Sequence, residues 1–273
     1  METSRSSRAP RKPRAHNTPP TGPGMYAGRT GTSSADVILR GLRARIISTE
    51  LVPGTPISEH DLAQAYGVSR TPVREAILRL SDERLVEVAP KSGTFVGRIP
   101  LSALPEALVV RQALEETTVR AAVRFAQEDH FVKLENLIET QQQAVGNADR
   151  QALHDADDAF HEQIAQAGGY PGIWELITQV KVHIDRYRRL AQLDMDRLGT
   201  VIEEHRLLLR HMRARDAEGA VQAMAIHLHK LRKDMSHLKS IKPEYFIHDA
   251  DLAVEFTKAQ SAVKSELLAD DPT

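Results

Sequence analysis

From Asp36 to Thr49 the positions Val37, Ile38, Gly41, Leu42, Arg45 and Ile46 recur at helical spacing, which predicts a first helix with one apolar face. Leu51 to Pro56 is a turn leading into a short strand that ends at Ser58. Ser58, with Asp61 three residues on, reads as the start of a second helix, Gly67 as its end, and Ser69 as the N-cap of a third. The third helix puts Ile77 and Leu80 on its buried side and turns Arg70, Thr71 and Arg74 outward. Pro72 fits its first turn because the N–H it lacks would have no intrahelical partner. After Leu85 the period changes from helical to alternating: LVEV, APKSG and TFVG spell a hairpin with Lys91 at its tip. Helix, turn, helix, wing is the order of a winged helix-turn-helix that reads duplex DNA.

The run GVSRTPVREAILRL, preceded by ISEHDLA and followed by LVE and KSGTFV, resembles the DNA-binding domain of the GntR superfamily of bacterial transcription regulators. Two places depart from that pattern: Arg84 stands where the family commonly has glycine, and His60 sits at a variable position of the first-helix segment. Arg70, Thr71 and Arg74 lie in the first half of the recognition helix, where side chains can enter a major groove. An arginine fork matches the two acceptors on a guanine edge, worth roughly 1–3 kcal/mol of discrimination. Ser69 and Thr71 can equally donate to phosphate, which positions without specifying. Lys91 and Gly93 would bring the wing against the neighbouring backbone or minor groove.

Prolines at 100 and 105 then bracket a segment that cannot be one continuous helix. The stretches 105–127, 131–146, 149–168, 172–193, 197–214 and 217–238 read as helices without strand signals, separated at Gly146-Asn147 and at Gly168 to Gly172. Connections this short predict an antiparallel bundle. The expected organisation is mainly α: a basic disordered arm over 1–34, a DNA-reading head over 35–98, a linker over 99–104, a helical domain over 105–240 and a C-terminal extension over 241–273, for which the sequence suggests no role.

The chain of 273 residues is 41% hydrophobic, enough for two ordinary cores. It has no cysteine, which excludes disulfides, thiolate metal sites and a cysteine nucleophile. No apolar run reaches the length of a membrane span and no signal peptide opens the chain, so a cytoplasmic protein without membrane attachment is expected. The formal net charge of −1 hides a gradient: the first 34 residues carry six basic side chains against one glutamate, while the residues after 100 are net acidic. A basic arm of this kind is either a solvated tail or a source of non-specific phosphate contacts.

Within the helical region, Asp157 and His161 stand four residues apart beside the apolar stripe Leu153, Ala156, Phe160, Ile164, and project from adjacent turns. The next two helices meet near Asp216, and His205 and His227 are equally far from it, so in an antiparallel hairpin they lie level. His211 and His229 have no histidine opposite them. A lone buried histidine is usually a satisfied core residue, the reading given to His154, His183 and His237. One aspartate and three histidines together make a three-nitrogen, one-oxygen site for a divalent ion, zinc or nickel. The domain resembles the FCD domain of the FadR-like branch of GntR regulators, many of which hold a metal through an Asp-x-x-x-His pair and two later histidines; Asp157, His161, His205 and His227 match that pattern. Asp158 and His183 are the alternatives for a ligand position. Arg111 lies on the stripe Leu104, Leu108, Leu114, where a guanidinium must find an anion. That anion is either Glu115 one turn later or, as the FCD resemblance implies, a small carboxylate effector. Arg186 and Arg188 are weaker candidates for the same role.

These readings converge on a transcription regulator, expected to be a repressor, that binds a pseudo-palindromic operator as a homodimer and responds to a small organic acid beside a metal. The competing readings are a metal-dependent hydrolase, which lacks an HExxH motif or a nucleophile elbow, and a metalloregulator that senses the ion itself.

Overall fold

The computed structural model describes residues 33–191, 195–235, 242–252 and 254–255. The basic arm therefore lies outside the described residues except for its last two, as do residues 236–238 of the last expected bundle helix, His237 among them, and 256–273 of the extension.

Helix α1 (Ser34–Ile47) begins and ends two residues earlier than its apolar pattern suggests, because Ser33 and Asp36 close a capping box that satisfies the first free amides. Strand β1 (Pro56–Ile57) leads to α2 (Glu59–Tyr66), where Ser58 accepts from the Asp61 N–H at 3.2 Å. Gly67 ends α2 at φ 63°, a left-handed position that costs a side-chain-bearing residue about 1 kcal/mol or more. Helix α3 (Arg70–Asp82) follows after two residues. Strands β2 (Val86–Ala89) and β3 (Gly93–Val96) form the wing, Val86 opposite Val96 and Ala89 opposite Gly93, and β1 pairs with the other edge of β3. Ile38, Leu42, Ile46, Val73, Ile77, Leu80, Leu85 and Val96 close the head's core. Each fully buried side chain of this size contributes roughly 1.5–3 kcal/mol relative to exposure.

The second region holds α4 (Ala103–Phe125), α5 (Glu128–Gly146), α6 (Arg150–Ala167), α7 (Pro171–Val180), α8 (Val182–Ala191), α9 (Met195–Arg213) and α10 (Ala217–Met235). Helix α6 lies against α4 and α5, α5 against α9, and α10 against both α9 and α4, which closes a ring around Phe131, Leu134, Ile138, Phe160, Ile164, Ile202, Leu208, Met212, Met224 and Leu228. None of the described helices is long and apolar enough to cross a membrane.

Two expectations need correction. The single helix expected over 172–193 is two, α7 and α8, with the break at Lys181. They serve different cores: Trp174 and Ile177 of α7 pack on Ala165 of the bundle, while Val182 of α8 enters the core of the head, so the axis must turn between them. Pro105 does not delay α4, since it occupies the first turn, where its missing N–H is not needed. Outside the stretch expected to be helical, whose described residues carry no strand, Ile99–Pro100 (β4) of the linker pairs in parallel with Phe246–Ile247 (β5) of the C-terminal extension.

Candidate metal centre and DNA-reading face

The outward side of α3 carries Arg70, Thr71 and Arg74, all exposed, with Ser69 before them and Lys91 and Gly93 exposed on the wing. Ser69 occupies the N-cap position in an extended conformation, but its side chain makes no capping bond. Its hydroxyl is therefore not committed to the helix. Arg74 Nε donates to Glu59 Oε2 at 2.9 Å, which anchors one side of the guanidinium and leaves both Nη groups at its outer end. Lys91 at φ 66° and Gly93 at φ 119° make the tight tip of the hairpin.

Inside the bundle, α6 presents Asp157 and His161 one turn apart, α9 presents His205, and α10 presents His227 across the hairpin. All four are buried, and one ligand atom from each lies within 4.8 Å of the others. The ring centroids of His205 and His227 are 4.8 Å apart, each 5.3 Å from that of His161, and His205 Nε2 stands 3.6 Å from Asp157 Oδ1. Phe160 stacks on His205 at 4.3 Å and Trp174 lies parallel to His161 at 6.4 Å, which fixes two of the rings.

A surrounding layer orients the four. His205 Nδ1 is 2.8 Å from Gln141 Oε1, His227 Nδ1 is 2.8 Å from Glu204 Oε2, and His161 Nδ1 sits against Glu115 Oε2. With the Nδ1 hydrogens of His205 and His227 turned to acceptors, their Nε2 lone pairs are left for a cation. Arg188 Nη1 donates to Asp157 Oδ2 at 2.8 Å, which leaves Oδ1 for the same centre. Asp157 Oδ1, His161 Nε2 and His205 Nε2 are buried without a hydrogen-bond partner. Buried polar atoms seldom stay unpaired.

The protonation states suit a cation. Burial pushes His205 well below the usual histidine range and lowers His227 too, so both rings are neutral. Burial opposes ionisation of Asp157, yet the carboxyl is held well below its ordinary value, the Arg188 guanidinium being the strongest influence in that direction. Neutral imidazoles and an ionised carboxylate are the forms that ligate. Of the alternative ligands, Asp158 is taken up by Lys181 at 2.9 Å, and His183 faces Arg186 at 3.5 Å.

Arg111, 1% exposed, pairs through Nε with Glu115 one turn on, so the internal partner considered from the sequence is present; its Nη2 has none. Arg188 also lines a cavity of about 200 Å³ with Ser48, Thr49, Arg150, His154 and Arg189, where the head meets the bundle. Arg186 turns away from the centre and donates to the Gly97 carbonyl at 2.5 Å.

Comparison with known proteins bears on both regions. Residues 35–96 match the bacterial regulatory proteins of the gntR family and residues 106–230 the FCD domain. An HTH-type transcriptional regulator in an unstable DNA locus of Streptomyces ambofaciens is 32% identical over 219 residues, 80% of this chain and 92% of that protein. The chain belongs to the GntR family. This regulator is also 26% identical to the HTH-type transcriptional repressor RspR of Escherichia coli K12, over 77% of its own length and 92% of that protein's. The solved structure of E. coli McbR/YncC superposes with a TM-score of 0.65 at 26% identity, covering 75% of this chain and all of that one. These are DNA-binding transcription regulators, so the hydrolase reading falls.

Of the two departures seen in the regulator's head, the backbone accounts for the one at Arg84. Arg84 sits at φ 55°, a left-handed conformation that glycine takes freely. Sequence reasoning did not find Glu115, Gln141 or Glu204 as acceptors for the three rings, nor Arg188 as the partner of Asp157. A usable signal existed only for Glu115, which falls on the same stripe as Arg111.

Proposed function

We propose that this GntR-family regulator is a repressor whose operator affinity is set by a small organic acid bound beside a divalent metal ion. The observation that carries the reading is the buried convergence of Asp157, His161, His205 and His227, each with an outer partner that turns one ligand atom inward. Zinc or nickel fits this donor set, and would supply a Lewis-acidic centre able to take an effector carboxylate. Arg111, through its unpartnered Nη2, would clamp a second oxygen of that acid.

In this reading, residues 35–98 form the head, 99–104 the linker and 105–240 the sensing domain. Arg70 and Arg74 contact base edges, and Ser69, Thr71, Lys91 and Gly93 hold the DNA backbone. One recognition helix reads few bases, so a homodimer on a pseudo-palindromic site is the assembly that gives specificity. The name of the relative RspR supports repression. The acid acts as inducer to the extent that it binds the DNA-incompetent arrangement more tightly than the competent one.

Trp174, the chain's only tryptophan, lies against His161 and reports on the centre. Chelated protein is titrated with Zn²⁺ and then with small mono- and dicarboxylates, following tryptophan emission and retention of an operator selected from random duplex DNA. Saturable zinc binding, followed by carboxylate-dependent release of DNA, is expected. Absence of zinc binding would sink the reading. Release by zinc alone, with no effect of any acid, would replace it with a sensor of the ion itself.

A further inference from the structure

The FCD match ends at residue 230, yet the chain returns to the molecule after that point. Beyond α10, Pro243–Tyr245 form a single turn of 3₁₀ helix, and β5 then runs parallel to β4, Phe246 opposite Ile99 and Ile247 opposite Pro100. The Leu101 N–H donates to the Ile247 carbonyl at 3.1 Å. Asp249 then takes both groups of Ser102: the backbone N–H at 3.0 Å and the hydroxyl at 2.7 Å. Ser102 is the N-cap residue of α4 and makes no capping bond of its own, so the Asp249 carboxylate stands in as the cap and places a negative charge at the positive end of that helix.

The side chains extend the same attachment. Phe246 is 3% exposed and Leu252 is buried; both join Ile99, Leu101, Leu104, Leu108, Ile184 and Tyr187 in one cluster, with the Phe246 and Tyr187 rings 6.3 Å apart. That cluster lies where the linker, the start of α4 and α8 come together. The wing ends at Val96 and β4 begins at Ile99, so only Gly97 and Arg98 separate the head from the clamped residues. Gly97 is itself confined: a Cβ there would stand 2.7 Å from the Arg84 carbonyl. Above this point a cavity of about 430 Å³ separates the base of the wing, at Arg84, Val86 and Val88, from Ile247 and Asp249. The returning segment is therefore attached to the linker next to the head, and the groove beside the wing is not filled by side chains.

We propose that residues 242–252 are a strap that clamps the interdomain linker and so limits how far the reading head turns on the sensing domain. A head held at one angle meets its half-site in register with its partner; a head on a free linker must be ordered at binding, which weakens the paired complex and not the single contact. The inference rests on the proposed DNA-reading role and homodimer only for its second readout, which applies where wild-type protein binds the full site more tightly than the half-site.

Two variants of the full chain test it, Phe246→Ala and Asp249→Ala. Exchange of the amides of Ile99, Leu101 and Ser102 should rise by about tenfold or more in each, from the loss of buried packing or of two hydrogen bonds, while amides of α5 keep wild-type protection. Affinity for a full palindromic operator selected with wild-type protein should fall about tenfold, with affinity for its isolated half-site unchanged. Should Phe246→Ala fail to fold, Asp249→Ala, a change at a more exposed position, decides alone. Wild-type exchange at Ile99, Leu101 and Ser102 in the folded variant overturns the strap. If wild-type protein selects no DNA, the DNA-reading role fails and exchange still decides the strap. Faster exchange with equal losses on full and half sites also overturns it, because the segment then supports only the stability of the fold.

Discussion

Gln141 Oε1 lies 2.8 Å from Nδ1 of His205, and neither side chain is exposed to solvent. The amide oxygen fixes the ring so that Nε2 faces Asp157 and the other histidines. Replacing Gln141 with leucine keeps the volume and removes the acceptor, so the ring is free to rotate or to change tautomer. Zinc affinity should drop roughly 10- to 100-fold while the fold persists, the usual cost of losing an outer partner. Calorimetric titration of the chelated variant checks this; an unchanged affinity would mean that the packing of Phe160 alone holds the ring.

The same geometry sets what removal of the ion does to the fold. Without a cation, Asp157 Oδ1, His161 Nε2 and His205 Nε2 are buried polar atoms with no partner, each an unfavourable contribution. A ligand present at a hundred times its dissociation constant stabilises the native state by about 2.7 kcal/mol. Chelation should therefore lower the melting temperature by several degrees, and added zinc should restore it. In His205→Ala the melting temperature should not respond to chelator. Thermal unfolding with and without chelator, on both proteins, reads the difference directly.

How much of this was legible in the sequence depends on the distance over which each signal acts. The caps of α2, the turn at Gly67 and the wing are local, and Ser58, Gly67 and Lys91 announce them. The four ligand candidates needed one step more: helical spacing for Asp157 and His161, and equal distance from Asp216 for His205 and His227. The acceptors around them come from α4, α5 and α9, whose lateral order no periodicity reveals. Glu204 shows the limit well: it adjoins His205 in sequence, but successive helical residues point about 100° apart, and it serves His227 across the hairpin instead. The β4–β5 pairing joins residues from opposite ends of the second region and is two residues long, too short to leave a pattern.

Arg84 holds a left-handed conformation between α3 and the wing. Glycine relieves that strain, though it also widens the unfolded ensemble and so returns part of the gain. Arg84→Gly should stabilise the protein by ~0.5–1 kcal/mol, seen as a higher denaturant midpoint at constant slope. A lower midpoint would show that the Arg84 side chain contributes more to the native state than its backbone costs.

In the proposed reading Arg74 and Lys91 approach DNA in different ways, and their variants should separate accordingly. Arg74 is held by Glu59 at 2.9 Å, and in that reading its free end would face one place in the major groove. Losing it should cost roughly 1–3 kcal/mol on the preferred operator and relax the preference at one base pair. Lys91, at the tip of the wing, would in the same reading meet the backbone or the edge of the minor groove. Lys91→Ala should weaken all duplexes alike and reduce the slope of log affinity against log salt by about one. Glu59→Gln belongs with Arg74: it removes the charge that steers the guanidinium, and should blur the same base pair with no loss of salt slope. Binding of the three variants to the operator and to its single-base changes, over a salt series, distinguishes these outcomes. A uniform loss in Arg74→Ala would assign that arginine to phosphate, and base reading on this helix would then fall to Arg70.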